Sequence, residues 1–328
     1  MEQRKLGNQG LTASAQGLGC MGMSIAYGPG DDDESTATIQ RALELGVDFL
    51  DTAEIYGPYK NEELIGTALA GRREDYFVAT KFGWVIDPDN QERIGFDGSP
   101  ENARRAIEGS LQRLGTDHVD LYYSHRVDPE VPVEETVGAM GEFVEQGKAR
   151  GIGLSEAAPE SIRKAHETFP LSAVQTEYSL WTRDPESNGV LDTCRELGIA
   201  FVAYSPLGRG FLTGEIRSLD QLADDDFRRT VPRFQGENLE RNVAIVEILD
   251  EMAEVKGVTA AQLALAWVHS RGEDVFPIPG TKRRKYLEEN VAAFEIELSD
   301  DELGKLEAAT EQVTGDRYDA AGMATLNN

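Results

Sequence analysis

P-E-N-A-R-R-A-I-E-G-S-L-Q-R-L-G-T-D-H-V-D-L-Y-Y-S-H, residues 100–125, carries one complete structural unit. Helical periodicity runs from Pro100 to Leu114, and Gly115 stands where a C-cap needs a left-handed residue. An apolar run, Val119 to Ser124, follows and ends on a histidine. The same order recurs along the chain. Apolar runs predict strands at Ala15 to Gly19, Val47 to Asp51, Tyr76 to Lys81, Val119 to Ser124, Gly151 to Leu154, Ala173 to Gln175, Ile199 to Tyr204 and Val275 to Ile278. Between and after them, helical patterns cover Glu34 to Leu45, Asn61 to Ala70, Pro100 to Leu114, Val133 to Gln146, Pro159 to Thr168, Gly189 to Leu197, Glu240 to Lys256 and Arg284 to Ala293. Gly46, Gly71, Gly147, Gly198 and Gly257 stop helices as Gly115 does. Such alternation is the signature of strand–helix units around a parallel sheet.

A chain of 328 residues with this alternation fits a closed (β/α)₈ barrel better than an open doubly wound sheet. The open sheet is disfavoured because the first turn is read as lacking a G-x-G-x-x-G phosphate loop, with Gly17, Gly19 and Gly22 read as differently spaced and no helix beginning directly after them. Arg4 to Gly7, the turn Asn8-Gln9-Gly10 and Leu11-Thr12 read as a hairpin that plugs the barrel bottom. The piece from Gly208 to Asn238 and the tail from Leu298 to Asn328 are longer than connections need, and long loops of this kind carry function or move. No repeat or linker divides the chain, so residues 1–328 are read as one domain with a C-terminal extension.

Lys and Arg number 32 against 59 Asp and Glu, a formal charge of −27 that opposes binding to nucleic acid or an anionic membrane. The acidic clusters Asp31 to Glu34, Asp224 to Asp226 and Asp300 to Glu302 read as helix starts or solvated loops. An acidic surface in which arginine outnumbers lysine fits a high-salt habitat and also an ordinary acidic cytoplasmic protein. Cys20 and Cys194 offer neither a disulfide framework nor a metal-ligand spacing. No signal-peptide core or membrane-length apolar run is seen, and the expectation is a cytoplasmic protein without a metal.

In a barrel the C-terminal strand ends form the active face. The second strand ends on Asp51 and leads to Tyr56 in D-T-A-E-I-Y-G, the third ends on Lys81 in V-A-T-K-F, and the fourth leads to His125 in L-Y-Y-S-H-R. Each residue alone has an ordinary reading: a cap, a packing residue, a surface lysine, a structural histidine. A lysine closing the run Phe77 to Thr80 nevertheless needs a partner, and Asp51 on the neighbouring strand supplies one. Lysine beside tyrosine favours the phenolate, making a proton donor suited to the alkoxide that forms when hydride reaches a carbonyl carbon. Acyl transfer fits less well, since no G-x-S-x-G elbow is present.

The chain resembles the aldo-keto reductases over essentially its whole length. The motifs are D-T-A-E-I-Y-G (51–57), the lysine of A-T-K-F, the histidine of Y-Y-S-H-R, G-L-S (153–155), Q-T-E-Y-S-L (175–180), A-Y-S-P-L-G-R-G-F-L (203–212) and I-P-G-T-K-R (278–283). The resemblance implies a (β/α)₈ barrel binding NADPH, with Tyr56 as general acid, Lys81 and Asp51 tuning it, and His125 orienting the carbonyl. It further implies that Gly22 and Met23 line the cofactor site, that Ser155, Glu156 and Gln175 face the carboxamide, and that Tyr204 stacks on the nicotinamide. Ser205, Pro206, Leu207, Gly208, Arg209 and Gly210 wrap the pyrophosphate on this reading, while Gly280, Thr281, Lys282 and Arg283 meet the 2′-phosphate and Glu289 and Asn290 the adenine. The cluster Lys282 to Lys285 favours NADPH over NADH. Glu156 where many relatives have Asn, and Tyr286 where several have Arg, depart from the family pattern.

Tyr27, Phe82, Trp84, Trp181 and Phe211 are expected to wall an apolar pocket for a small-molecule aldehyde or ketone. Arg126 is placed to meet an anionic group, and no double-arginine clamp for a dicarboxylate is evident. The leading expectation is an NADPH-dependent carbonyl reductase. A cofactor-sensing regulatory subunit with slow turnover is the alternative, and a purely structural barrel is disfavoured by the intact set Asp51, Tyr56, Lys81 and His125.

Overall fold

Parallel pairing in one register carries the strand ends named above to the same rim. The strands, numbered in chain order, are β1 (Leu18–Gly19), β2 (Phe49–Asp51), β3 (Phe77–Phe82), β4 (Val119–Ser124), β5 (Ala149–Ser155), β6 (Ala173–Glu177), β7 (Ala200–Tyr204) and β8 (Val275–Ile278). In this computed structural model, which describes residues 1–87, 89, 93–224, 226–311 and 313–327, they form one eight-stranded sheet in sequence order. Closure comes from Gly17 N–H donating to the Pro277 carbonyl at 2.9 Å, Gly19 N–H to the Pro279 carbonyl at 3.2 Å, and a parallel bridge between Gly19 and Gly280. A Cβ on Gly19 would lie 2.9 Å from the Ile278 carbonyl oxygen, so the seam requires a residue with no side chain. Gly17, Gly19 and Gly22 have the G-x-G-x-x-G spacing, but a 3₁₀ turn at Met21–Met23 follows and the next helix starts only at Asp32. The spacing here serves barrel closure.

Every residue of β3 and β4 is buried, as expected for a sheet covered on both faces. Phe49, Phe77, Leu121, Tyr123, Val202 and Phe276 fill the barrel interior, and Leu6 and Ala13 of the N-terminal hairpin (Gln3–Leu6, Leu11–Ser14) join them, which plugs the bottom. The outer layer holds α1 (Asp32–Glu44), α2 (Lys60–Ala68), α3 (Pro100–Leu114), α4 (Val133–Glu145), α5 (Pro159–Thr168), α6 (Val190–Leu197), α7 (Gly236–Lys256), α8 (Ala260–His269), α9 (Arg284–Ala292) and α10 (Asp300–Thr310).

Helix α8 has no counterpart among the periodic segments read from sequence. Its residues are nearly all buried, so no polar face marks a period, and its signal is the capping box of Thr259 and Gln262. The acidic clusters do start helices: Asp31 caps α1 by accepting from the Glu34 N–H, and Asp300, Asp301 and Glu302 form the first turn of α10. Asp226 caps a 3₁₀ turn, while Asp225 and the terminal Asn328 lie outside the described residues. Cys20 and Cys194 are both free and buried. Among the described residues no helix is long and apolar enough to cross a membrane.

A hairpin and the C-terminal tail cover part of the C-terminal rim, beside the long loop after β7, whose Arg228 donates to the Arg209 carbonyl at 3.0 Å. A hairpin of Trp84–Ile86 and Arg93–Phe96 rises from the end of β3. The tail beyond α10 crosses the ends of β5 to β7, held where Gly315 accepts from Arg233 Nε at 2.9 Å and Asn327 Oδ1 accepts from the Ala158 N–H at 2.9 Å and from Ser161 Oγ at 2.7 Å.

Candidate active site

Lys81 is fully buried and spends its three ammonium donors on three partners. Nζ donates to Asp51 Oδ1 at 2.5 Å, to the Thr52 carbonyl at 2.7 Å and to the Tyr56 hydroxyl at 3.2 Å. Adjacent parallel strands make this possible, since β2 pairs with β3 and sets the two side chains at one rim. The second Asp51 oxygen accepts from Gln175 Nε2 at 2.7 Å. Tyr56 is brought back over the rim by a turn fixed through Asn61, whose Oδ1 accepts from Thr52 Oγ1 at 2.6 Å and whose Nδ2 donates to the Cys20 carbonyl at 2.9 Å. The His125 ring meets the Tyr56 ring edge to face at 5.9 Å. The structure therefore brings together the four residues that the sequence singled out.

The electrostatics follow from burial and pairing. Burial opposes the charge on Lys81, but Asp51 and Tyr56 outweigh it and hold the ammonium protonated. Burial raises the Tyr56 phenol above its ordinary value, and Lys81 and Arg126 pull it back down. Burial, then Arg126, push His125 well below the usual histidine range, so the ring is neutral at pH 7. This set can hold a proton on Tyr56 beside a fixed cation and a neutral imidazole.

The cofactor candidates line the rim from β5 to β8 and on to β1. Ser155 and Gln175 close β5 and lie in β6, and one Gln175 amide N–H is engaged by Asp51. Glu156 is saturated: its carboxylate takes both Arg317 terminal nitrogens at 2.8 Å, the Tyr204 hydroxyl at 2.7 Å and the Glu177 N–H at 3.1 Å. Its acceptors are thus used by protein. Gly208, Arg209 and Gly210 all have positive φ in the turn after β7, and a Cβ on Gly208 would lie 2.9 Å from the Trp181 ring, so glycine is required there. The Arg209 side chain in the middle of this turn is held away on Glu177 at 2.8 Å and over the Tyr318 ring at 4.3 Å, which leaves the backbone N–H groups of a glycine-flanked turn, the kind of group that can approach a phosphate. Gly22 and Met23 sit on the 3₁₀ turn after β1, next to Tyr27.

At the far end, Lys282 Nζ donates to the carbonyls of Tyr27 at 2.7 Å, Gly28 at 3.1 Å and Pro29 at 2.7 Å, tying the loop after β8 to the loop after β1. Arg284 pairs with Glu34 at 2.8 Å. Two of the four clustered cations are therefore committed, and Arg283 and Lys285 remain exposed. Glu289 accepts from Thr259 Oγ1 at 2.7 Å, and Asn290 is buried.

The aromatic wall needs correction. Phe82 and Phe211 are fully buried: Phe82 stacks on Tyr122, and Phe211 stacks on Trp181 at 4.1 Å. Trp181 keeps only 3% of its surface, and Phe234 closes the cluster against it at 5.1 Å. These are packing residues. Tyr27 faces Phe227 at 5.5 Å and the Arg228 guanidinium at 5.1 Å. Trp84 does stand beside the reacting groups, 6.3 Å from the His125 ring.

Four participants escaped the sequence reading. Arg317 and Tyr318 arrive on the tail, Tyr318 hydrogen-bonding the Tyr204 hydroxyl at 2.8 Å and lying beneath the Arg209 guanidinium at 4.3 Å. Glu177 holds Arg209 in a buried pair at 2.8 Å. Arg93 lies on Trp84. For Arg317 and Tyr318 the hint in the sequence was the excess length of the tail, and Glu177 lies within the motif Q-T-E-Y-S-L.

The aldo/keto reductase family model matches residues 16–311. The glycerol dehydrogenase AKR11B4 from Gluconobacter oxydans is similar in structure, with a TM-score of 0.87 and 28% identity, covering 97% of this chain and 98% of that one. A thermostable aldo-keto reductase, Tm1743, solved with the inhibitor epalrestat, has a TM-score of 0.73 and 34% identity over 94% of this chain and 100% of its own. With four ionisable residues gathered at the C-terminal rim of an eight-stranded barrel, and a family match across nearly all of it, this chain belongs to the aldo/keto reductase family.

Proposed function

We propose that the protein reduces aldehydes and ketones to alcohols using NADPH, with Tyr56 as the general acid. The observation that carries this reading is the Lys81 ammonium held between Asp51 and the Tyr56 hydroxyl in a fully buried position. A reduced nicotinamide, when bound, supplies the hydride. Tyr56 donates its proton to the carbonyl oxygen as negative charge develops there, and the neutral His125 orients that oxygen by hydrogen bonding. Lys81 stabilises the tyrosinate that remains, and Asp51 fixes Lys81 in place. Ser155 and Gln175 would hold the carboxamide, Tyr204 would stack on the ring, residues 205–210 would receive the pyrophosphate, and Gly280, Thr281 and Arg283 would face the adenosine end. Preference for NADPH rests on the exposed Arg283 and Lys285.

The test is a titration with NADPH and NADH, followed by 4-nitrobenzaldehyde and methylglyoxal at low and at molar salt. Tyr56→Phe should abolish turnover and keep NADPH binding close to normal. Unchanged turnover removes Tyr56 as the acid. Tight NADPH binding with no turnover on any carbonyl would instead favour a cofactor-sensing subunit.

A further inference from the structure

Beside the reacting groups, one indole carries two cations. The Arg126 guanidinium carbon lies 5.9 Å and that of Arg93 5.2 Å from the Trp84 ring centroid, and the same ring is 6.3 Å from His125. Arg126 is anchored by NH1, which donates to the His125 carbonyl at 2.6 Å; its own surface is only 9% exposed and its Nε has no partner. Arg93 is more open, on the second strand of the rim hairpin. Among the described residues no carboxylate comes within ion-pair distance of either guanidinium. Burial and then the Arg126 charge depress the Arg93 pKa, whereas burial of Arg126 is outweighed by the phenols of Tyr204 and Tyr318 and the Glu156 carboxylate, which raise its pKa. By contrast, in a molecule whose charge is −27 overall, Arg209, Arg317 and Arg228 are each closed on a carboxylate.

Building on the reductase reading above, we infer that Arg93 and Arg126 form an anion-binding subsite over Trp84, and that the preferred substrates are carbonyl compounds carrying a carboxylate or phosphate close to the reacting carbon. A guanidinium fork binds either group through paired N–H donors, and the indole face holds both forks in place. Placed next to His125, the bound anion would fix the carbonyl at Tyr56, and the local positive field would draw anions past a surface that otherwise repels them.

The experiment compares kcat/KM for 4-carboxybenzaldehyde against 4-nitrobenzaldehyde, and for glyceraldehyde 3-phosphate against glyceraldehyde, in the native protein, Arg93→Gln and Arg126→Gln. Each substitution should lower the ratio of anionic to neutral substrate about tenfold, the loss expected for one charge-assisted contact. A fall in only one pair identifies the anion as carboxylate or as phosphate. Calorimetric binding of benzoate, phosphate and neutral benzamide supplies a readout independent of turnover, and Arg93→Gln, an exposed position, guards against misfolding of Arg126→Gln. Should no aldehyde be reduced while benzoate or phosphate binds and Arg93→Gln weakens it, the subsite stands and the reductase reading falls. Ratios unchanged in both variants, with neither anion bound more tightly than benzamide, overturn the inference.

Discussion

Arg317 closes both terminal nitrogens on both carboxylate oxygens of Glu156, each at 2.8 Å, in a pair that is 5% and 4% exposed. The contact ties the C-terminal tail to the end of β5. Arg317→Ala leaves Glu156 buried without its counter-ion and is expected to destabilise the fold by about 3–5 kcal/mol in denaturant titration. Pairing Arg317→Met with Glu156→Gln removes the stranded charge and should recover most of that loss. A double variant as unstable as Arg317→Ala would show that packing of the tail, rather than charge, sets the cost.

Lys81 lowers the Tyr56 pKa against the rise that burial imposes. Lys81→Met should therefore reduce kcat/KM for a small aldehyde by about 10² to 10⁴-fold, the range of one proton-transfer catalyst. It should also move the alkaline limb of the reduction profile upward, because Tyr56 without its cation keeps its proton to higher pH. A rate–pH profile of the variant measures both effects.

Glu54, in the same motif as Tyr56, is buried and accepts from the Gly83 N–H at 3.1 Å. Burial raises its pKa from 4.5 to about 7. The folded state then binds the proton more tightly than the unfolded chain, so stability from this group is full below pH 4.5 and is lost as pH rises through about 7. Glu54→Gln keeps the acceptor without the charge, and it should stabilise the protein by roughly 3 kcal/mol at pH 8 and by little at pH 4. Thermal unfolding at the two pH values checks the sign, and equal shifts at both would refute it.

Gly19→Ala places a methyl 2.9 Å from the Ile278 carbonyl at the closing seam. Backbone on both sides cannot yield as a side chain would, so a loss of about 1–3 kcal/mol is expected. Gly115→Ala, at a C-cap with no heavy atom near the added carbon, separates seam crowding from left-handed strain.

The reach of the sequence differs between elements. Strands such as Val119–Ser124 were legible because a buried parallel strand is apolar throughout and is bounded by a glycine-stopped helix. Helix α8 was not, because burial on nearly every side erases the period that marks a helix. Asp51, Tyr56, Lys81 and His125 were legible because each closes or follows an apolar run, and adjacent strands leave little freedom in where those ends meet. Phe82 and Phe211 were misplaced as pocket walls because an aromatic at a strand end has the same local pattern whether it faces a pocket or the core.

The order of strand–helix units and the four residues at the strand ends were determined by the sequence alone, through local periodicity and the need to pair a buried cation. Only the tertiary structure decided what the loops do. It closed the carboxylate of Glu156 with an arginine 161 positions away, tied Lys282 to the loop after β1, and set Arg93 beside Arg126 on one indole. Such contacts arise from how loops fold over a finished barrel rim, and no periodicity encodes which distant side chain will reach across it.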